Sequence, residues 1–280
     1  MLVKLFKHDF RAHSRVQIPV LIAIAAAAIL GFFNMLFLAG TGSGQLISEE
    51  SDGYGLMLSA ALGGTLLIFL ALGAAMTVMS VLIFVRFYRS MVTDEAYLTF
   101  TLPVTAGQLI GAKFLASAVW FLFGGIALML AGSLMYTGAV LAGGEEFREA
   151  MTDLWGDMLE LLADNPLTTF LLILLAVTSV LRWYFQITGA ILFGASVVRK
   201  NKALAAVGMI FAVNFVVNLI TSLFPTMGLF TFGIFFGGMN GSYEFDPNLW
   251  FTVQICINVI LAAVFWWLSV RIAKKSVNIE

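Results

Sequence analysis

From Val16 to Ala39 the chain reads VQIPVLIAIAAAAILGFFNMLFLA, with only Gln17, Pro19 and Asn34 interrupting the apolar side chains. The hydrocarbon core of a bilayer is about 30 Å thick and needs roughly 20 apolar residues per helical crossing. This run is long enough, and it exceeds the roughly 7 to 15 apolar residues of a signal peptide. We therefore predict an uncleaved transmembrane helix here.

Similar apolar runs recur along the rest of the sequence. Backbone amides in lipid must find hydrogen-bond partners within their own segment, so each run is predicted to be a helix. The sequence thus predicts an all-α integral membrane protein, with residues 1–280 forming a single transmembrane domain. Its six transmembrane helices are expected at about 16–39, 56–85, 109–142, 167–198, 203–224 and 249–270.

Composition supports lipid as the solvent of this chain. Apolar residues make up 61% of it and charged residues 11%, against about half and a quarter in soluble domains. The net charge of −1 gives no reason to expect a nucleic-acid partner. Cys256 is the single cysteine, which excludes an internal disulfide and a cysteine-clustered metal site.

The charged residues predict the orientation, because basic residues in short loops stay in the cytoplasm. Thirteen of the 15 basic residues fall on one side: Lys4, Lys7, Arg11, Arg15, Arg86, Arg89, Lys113, Arg199, Lys200, Lys202, Arg271, Lys274 and Lys275. Twelve of the 16 acidic residues fall on the other: Glu49, Glu50, Asp52, Glu145, Glu146, Glu149, Asp153, Asp157, Glu160, Asp164, Glu244 and Asp246. We predict cytoplasmic N and C termini and a multi-pass protein of the bacterial cytoplasmic membrane.

Residues 1–15 precede the first span. Leu2, Phe6 and Phe10 are spaced four apart among basic residues, a pattern that favours an N-terminal interfacial helix on the inner leaflet. The alternative is a basic tail that only sets the topology. His8 and His13 are five residues apart and do not share a helical face, so we predict no metal site there.

Residues 143–166 predict an external amphipathic helix, because apolar residues recur at helical spacing opposite an acidic face. These residues are Phe147, Met151, Leu154, Trp155, Met158, Leu161 and Leu162. The helix would rest on the outer leaflet, cover a substrate portal or bind an outside partner. Further on, the Gly-rich segment from Pro225 to 248 is predicted to be either a re-entrant hairpin or an external loop.

Motifs for enzymatic chemistry are absent from the sequence. It has no phosphate-binding Gly-x-x-x-x-Gly-Lys-Ser/Thr loop, no His-Glu-x-x-His helix, no Gly-x-Ser-x-Gly turn and no carboxylate pair within the spans. We predict that the chain is not an enzyme and that it holds no cofactor or metal of its own.

One cation interrupts the fourth span. Arg182 lies at about mid-depth of that run, and buried charge in a membrane is typical of transport pathways. Arg182 would then line a translocation path, meeting an anionic substrate group or ordering Gln186 and Asn214. Alternatively, its side chain reaches toward cytoplasmic lipid phosphates. No acidic residue occurs in the spans, so a proton relay is not expected.

The loop at 86–108, between the second and third spans, includes the run DEAYLTFTLPVT from Asp94 to Thr105. Asp94 and Glu95 suit the first turn of a short helix, Pro103 ends it, and Thr93 and Thr105 are candidate N-caps. The apolar members of the run are too numerous for a solvated loop. This short helix is therefore predicted to press on lipid or on another protein.

This run, with Gln108 and Lys113 after it, resembles permease subunits of bacterial ABC transporters of the type-2 exporter class. The resemblance covers 87–113 and implies that the loop is a cytoplasmic coupling helix seated in a separate ATPase subunit, which binds ATP and Mg²⁺. It also implies a second permease subunit, identical or different, and export of an amphipathic drug, peptide or lipid-like compound. The residues implied in coupling are Asp94, Glu95, Tyr97, Leu98, Phe100, Leu102 and Pro103.

Two other functions remain open from the sequence. A stand-alone secondary transporter or channel would need ion ligands at mid-depth or internal repeats, and only Arg182 points that way. A membrane scaffold or sensor without transport would use the acidic amphipathic helix as its sensing element.

Overall fold

The computed structural model describes residues 2–42, 53–93, 95–96, 104–198, 200–236 and 247–277, and these residues are almost wholly helical. Its long helices are α1 (Leu2–Gly42), α2 (Tyr54–Val92), α3 (Ala106–Ala142), α4 (Glu145–Asp164), α5 (Pro166–Val197), α6 (Lys202–Phe236) and α7 (Pro247–Val277). Six of them, all except α4, are long and apolar enough to cross a membrane. The predicted all-α class with six spans is confirmed, and helix length and hydropathy make this a multi-pass membrane protein.

The helices α2 and α3 are much longer than a bilayer crossing requires. They contain 39 and 37 residues, which correspond to lengths of about 58 and 55 Å. A hydrocarbon core is only about 30 Å thick. Parts of both helices therefore extend beyond the apolar layer unless the helices are steeply tilted.

Two compact units divide these helices. The first unit comprises Met1–Arg86 and Ala112–Glu160, and the second comprises Phe87–Gly111 and Leu161–Glu280. The first unit thus contains α1 and most of α2, α3 and α4, whereas α5, α6 and α7 belong to the second. The end of α2 and the start of α3 are assigned to the second unit together with the loop that joins them.

The core of the first unit is built from small and flexible apolar side chains. Ile24 and Ala28 of α1 pack with Leu72 of α2 and with Ala131 and Met135 of α3. Small residues allow helix backbones to approach closely where lipid supplies no hydrophobic driving force for association. The three helices therefore associate through close packing of these residues.

Polar and glycine contacts add specificity to this packing. The Nδ2 of Asn34 on α1 donates hydrogen bonds to the carbonyl of Ala61, at 3.2 Å, and to the hydroxyl of Thr65, at 2.7 Å, on α2. A Cβ at Gly138 of α3 would lie 2.5 Å from the carbonyl oxygen of Phe32. Glycine is therefore required where α1 and α3 cross.

The second unit also contains a hydrogen bond between helices and a glycine at a close helix contact. Asn258 of α7 donates to the hydroxyl of Ser179 on α5 at 3.0 Å. A Cβ at Gly194 would lie 2.6 Å from the backbone oxygen of Ala205, where α5 and α6 meet. Asn201, in the connection before α6, has a φ of 57°, a left-handed conformation that asparagine tolerates better than most residues. The close approach at Gly194 and the left-handed φ of Asn201 both occur near the connection from α5 to α6.

The N-terminal segment differs from the prediction. A separate interfacial helix over 1–15 is wrong, because α1 is one continuous helix from Leu2 to Gly42. The ring of Phe10 stacks on Trp120 of α3, with ring centroids 5.2 Å apart. Phe10 of this segment thus contacts protein, where the sequence suggested lipid.

Two other segments complete the comparison. Helix α4 matches the amphipathic helix predicted over 143–166, and its Leu154 is exposed. Helix α6 continues through Pro225 to Phe236, so the irregular segment predicted from Pro225 does not begin there. Residues 237–246 of that prediction lie outside the described residues.

Candidate functional site

Buried side chains anchor both ends of the loop between α2 and α3 within the second unit. Phe87 and Met91, at the end of α2, are buried, as are Leu109 and Ile110, at the start of α3. Phe87 makes an edge-to-face contact with Tyr184 of α5, with ring centroids 6.5 Å apart. The helix ends on both sides of the loop are therefore packed against other side chains.

Hydrogen bonds fix where the two flanking helices end. The backbone amide of Gln108 donates to the hydroxyl of Thr105, and the amide of Thr105 donates to Oε1 of Gln108, both at 3.3 Å. This reciprocal arrangement is a capping box, and it confirms Thr105 as the N-cap of α3. The hydroxyl of Thr93 donates to the carbonyl of Arg89 at 2.6 Å, so this hydroxyl bonds back to the end of α2.

The structure describes only part of the predicted coupling helix. Glu95 and Ala96 are helical, and the amide of Ala96 donates to the carbonyl of Thr93 at 2.8 Å. The other predicted coupling residues lie outside the described residues: Asp94, Tyr97, Leu98, Phe100, Leu102 and Pro103. Their role in coupling stays a prediction.

The candidate translocation-path residues lie together within the second unit. An NH1 donor of Arg182 hydrogen-bonds to Oε1 of Gln186 at 2.6 Å, and Nε2 of Gln186 donates to Oδ1 of Asn214 at 2.7 Å. Gln186 is one helical turn from Arg182 on α5, and Asn214 lies on α6. The three side chains form one hydrogen-bonded chain across two apolar helices.

The hydrogen-bonded side chains of Arg182, Gln186 and Asn214 leave one buried N–H donor of Arg182 without a partner among the described residues. Arg182 is half-buried, and its Nε is buried without a hydrogen-bond partner among the described residues. Within the same residues, no ion pair joins Arg182 to a carboxylate. A guanidinium presents five N–H donors suited to carboxylates and phosphates. The arrangement can therefore bind an anionic group, although its function in transport stays a prediction.

A second polar cluster, in the first unit, was not predicted. Asp9, His13 and Gln17 recur every four residues along α1 and are all buried. The Nζ of Lys113 on α3 lies 3.6 Å from Oδ2 of Asp9. The Nδ1–H of His13 donates to the carbonyl of Asp9 at 2.8 Å, and Nε2 of Gln17 donates to the carbonyl of Met79 on α2 at 3.1 Å. The cluster thus joins α1, α2 and α3.

The interval of four residues between Asp9, His13 and Gln17 is the feature of the sequence that could have predicted this cluster. Polar residues at intervals of four share one helical face, and the apolar spacing of Phe6 and Phe10 obscured that face. The acceptors Oδ2 of Asp9, Nε2 of His13 and Oε1 of Gln17 have no hydrogen-bond donor among the described residues. The cluster therefore retains hydrogen-bonding capacity inside an otherwise apolar unit.

Comparison with known proteins adds no assignment. No family model matches the sequence, and no match is found among curated proteins or solved structures. Within the part of the chain that the structure describes, no group of three or more His, Cys, Asp or Glu residues is placed to hold a metal ion. Function has to be argued from the arrangement of this chain alone.

Proposed function

We propose that this protein is the membrane-spanning permease subunit of an ABC exporter in the bacterial cytoplasmic membrane. A separate ATPase subunit would bind the cytoplasmic loop, and a second permease subunit would complete the pathway. The cargo would be an amphipathic drug, peptide or lipid-like compound. The observation that carries this proposal is the distance by which α2 extends past the half-buried Arg86 and α3 extends past the buried Lys113.

That distance follows from helix geometry. Arg86 is followed by six further residues of α2, up to Val92, and Lys113 is preceded by seven residues of α3, from Ala106. At about 1.5 Å per residue these segments are about 9 and 10 Å long. The headgroup layer on each side of a bilayer is about 5 to 7 Å thick. If Arg86 and Lys113 mark the edge of the hydrocarbon, α2 ends and α3 begins beyond the headgroup layer, and we infer that the connection between them is exposed to water.

A loop in water needs a reason to be apolar. Tyr97, Leu98, Phe100 and Leu102 come from this loop, and large apolar side chains grouped on a solvated surface mark an interaction site. A protein partner is therefore the better of the two explanations left open by the sequence.

The assignment of residues to the two units supports mechanical coupling. The segment Phe87–Gly111 belongs to the second unit, while the preceding part of α2 and the following part of α3 belong to the first. Both helices are continuous across these boundaries. A partner that moves the loop would thus act on both units through unbroken helices, which suits a transporter that changes conformation between two states.

The energy for this movement would come from the partner. Mg²⁺ and ATP would be bound by the ATPase, since this chain has no phosphate-binding loop. In this chain, the loop would be moved by the partner, and residues of the membrane-spanning helices would line the translocation pathway. Within that pathway, the guanidinium of Arg182, held by Gln186, would meet an anionic group on the cargo.

A double substitution in the loop tests the proposal. Tyr97→Asp with Leu98→Asp places two charges where the partner would bury apolar groups, and central interface residues typically contribute about 2 kcal/mol or more each. The matched control is Thr99→Asp with Thr101→Asp, which adds the same charge to the same loop at polar positions. Each variant is expressed in cells that contain ATP-binding-cassette ATPases, purified, and assayed for a co-eluting ATPase and for ATP hydrolysis.

We expect the Tyr97 and Leu98 variant to insert normally but to lose the ATPase on purification, whereas the control keeps it. Equal co-elution and turnover for both variants would contradict the proposal. Transport by the purified chain without any ATPase would favour the secondary carrier, and absence of both transport and partner would favour the scaffold.

A further inference from the structure

The first unit contains a cavity of about 600 Å³ between three of its helices. Met35 comes from α1, and the rest of the lining comes from α2 and α3: Phe69, Leu72, Gly73, Met76, Leu128, Gly132, Met135, Tyr136 and Ala139. Pockets for small molecules commonly measure about 300 to 1,000 Å³. The cavity is thus large enough for a ligand rather than a packing defect.

The lining selects an apolar ligand. Tyr136 is the only lining residue whose side chain has a polar atom. Leu72 and Met135 are buried and form part of its wall, and Met76 and Met35 add two more unbranched, flexible side chains. Methionine adapts its shape to irregular apolar ligands. A sugar, peptide backbone or charged headgroup would lose its hydrogen bonds here, so the matching chemistry is a hydrocarbon chain.

The position of the cavity along the helices agrees with this chemistry. Met76 and Phe69 lie about 15 and 25 Å along α2 from Arg86, and Leu128 lies about 22 Å along α3 from Lys113. If the basic residues mark one edge of the hydrocarbon, these distances fall within its thickness of about 30 Å. The medium around the cavity is then itself hydrocarbon, and alkyl chains have direct access.

Two glycines keep the cavity open. A Cβ built at Gly73 or at Gly132 meets no atom within 4 Å, although both residues line the cavity. Both glycines are exposed, so a Cβ at either position meets no neighbouring atom and would take up space at the lining of the cavity. Gly125, on the same helix as Gly132, also has open space around it but does not line the cavity.

We propose that this cavity is a binding site for the alkyl chain of an amphiphile, and, resting on the proposed function, that the exporter's cargo is an amphiphile with such a chain. The site would hold the chain by burial of its methylene groups, with Gly132 and Gly73 providing the space. This assigns the cargo to lipid-like molecules rather than to polar drugs or peptides.

Photolabelling of the purified full-length chain tests the site without the ATPase. The probe is palmitate carrying a mid-chain diazirine, and unlabelled palmitate is the competitor. Labelled peptides are located by mass spectrometry, and Gly132→Leu is compared with Gly125→Leu, which adds the same side chain to the same helix away from the cavity. Thermal unfolding and elution volume report the folding and the oligomeric state of each variant.

We expect saturable labelling near Met76 and Tyr136, reduced about tenfold or more by Gly132→Leu, since filling the site removes burial of about two methylene groups. Gly125→Leu should label like the unmodified protein. Should Gly132→Leu not accumulate, Gly73→Leu fills the same cavity from α2 and is expected to give the same loss.

Three results would overturn the site. In the first, Gly132→Leu and Gly125→Leu are labelled equally. In the second, unlabelled palmitate does not compete with the labelling. In the third, Gly132→Leu is labelled as before but changes from a dimer to a monomer. The last would identify a second copy of this chain as the occupant. The labelling requires no ATPase. Saturable labelling of a chain that co-purifies with no partner would therefore support the alkyl-chain site and contradict the proposed exporter function.

Discussion

The buried pair of Asp9 and Lys113 offers a quantitative test of how the first unit is held together. Their side chains are 10% and 8% exposed, and Oδ2 of Asp9 lies 3.6 Å from Nζ of Lys113. Asp9→Asn removes the negative charge with little change in shape. The ammonium group of Lys113 then stays buried and loses its ion pair with Asp9.

The expected magnitude follows from the separation and burial of the two charges. At 3.6 Å and an effective dielectric constant of about 20, the attraction is about 4 to 5 kcal/mol before desolvation. Removing one partner from a buried pair destabilises a protein by about 3 to 5 kcal/mol. We expect about 3 kcal/mol for Asp9→Asn, because 3.6 Å is longer than the roughly 2.7 to 2.9 Å of a charge-assisted hydrogen bond.

Removing both charges should reverse most of this loss. The double variant Asp9→Asn with Lys113→Met leaves no buried charge, and replacing a buried pair with neutral groups is often nearly neutral. The effects of the two substitutions should therefore be strongly non-additive. The exposed Glu149→Gln on α4 is the control for a general effect of lost charge.

Thermal unfolding in detergent micelles provides the assay. A loss of about 3 kcal/mol corresponds to a fall in Tm of roughly 6 to 12 °C for a domain of this size. We expect that fall for Asp9→Asn, a Tm near that of the unmodified protein for the double variant, and no shift for Glu149→Gln. The ion pair would not stabilise the first unit if Asp9→Asn and Glu149→Gln had the same Tm. Additive effects of the two substitutions in the double variant would lead to the same conclusion.

Three further predictions follow from single contacts. Arg182→Ala should change transport but leave assembly with the partner intact, and equal transport and equal assembly would reduce Arg182 to a residue that reaches for lipid. Gly194→Leu should lower the Tm more than Gly208→Leu, because only the first position meets the backbone of α6 at 2.6 Å, whereas nothing lies within 4 Å of a Cβ at Gly208; similar Tm values would contradict this packing. Thr105→Ala should destabilise the start of α3 by about 1 kcal/mol, measured as faster amide hydrogen exchange there, and unchanged exchange would contradict the cap.

Much of the fold could be predicted because the bilayer imposes a minimum length on each span. The run from Val16 to Ala39 and the five that follow it were found by length and apolarity alone, and all six occur as helices. The N-terminal segment could not be assigned this way. An amphipathic face on residues 2–15 must be covered, but the pattern does not say whether lipid or α3 covers it.

Local spacing predicted one polar contact and long-range folding determined the others. Arg182 and Gln186 are four residues apart on one helix, so their hydrogen bond follows from helix geometry. The pairing of Asp9 with Lys113 joins two helices far apart in sequence, and no local pattern specifies it. The continuation of α6 through Pro225 was also missed, because proline is better tolerated in a membrane helix than in a soluble one.

Cross-linking in living cells tests directly whether another protein binds the apolar loop from the cytoplasm. A photoreactive amino acid is placed at Leu98 in the loop or at Trp155 on the amphipathic helix α4, and the adducts are identified by mass spectrometry. We expect Leu98 to cross-link to an ATP-binding-cassette protein and Trp155 not to do so. An adduct to that ATPase from Trp155, or none from Leu98 in cells that contain both proteins, would contradict it.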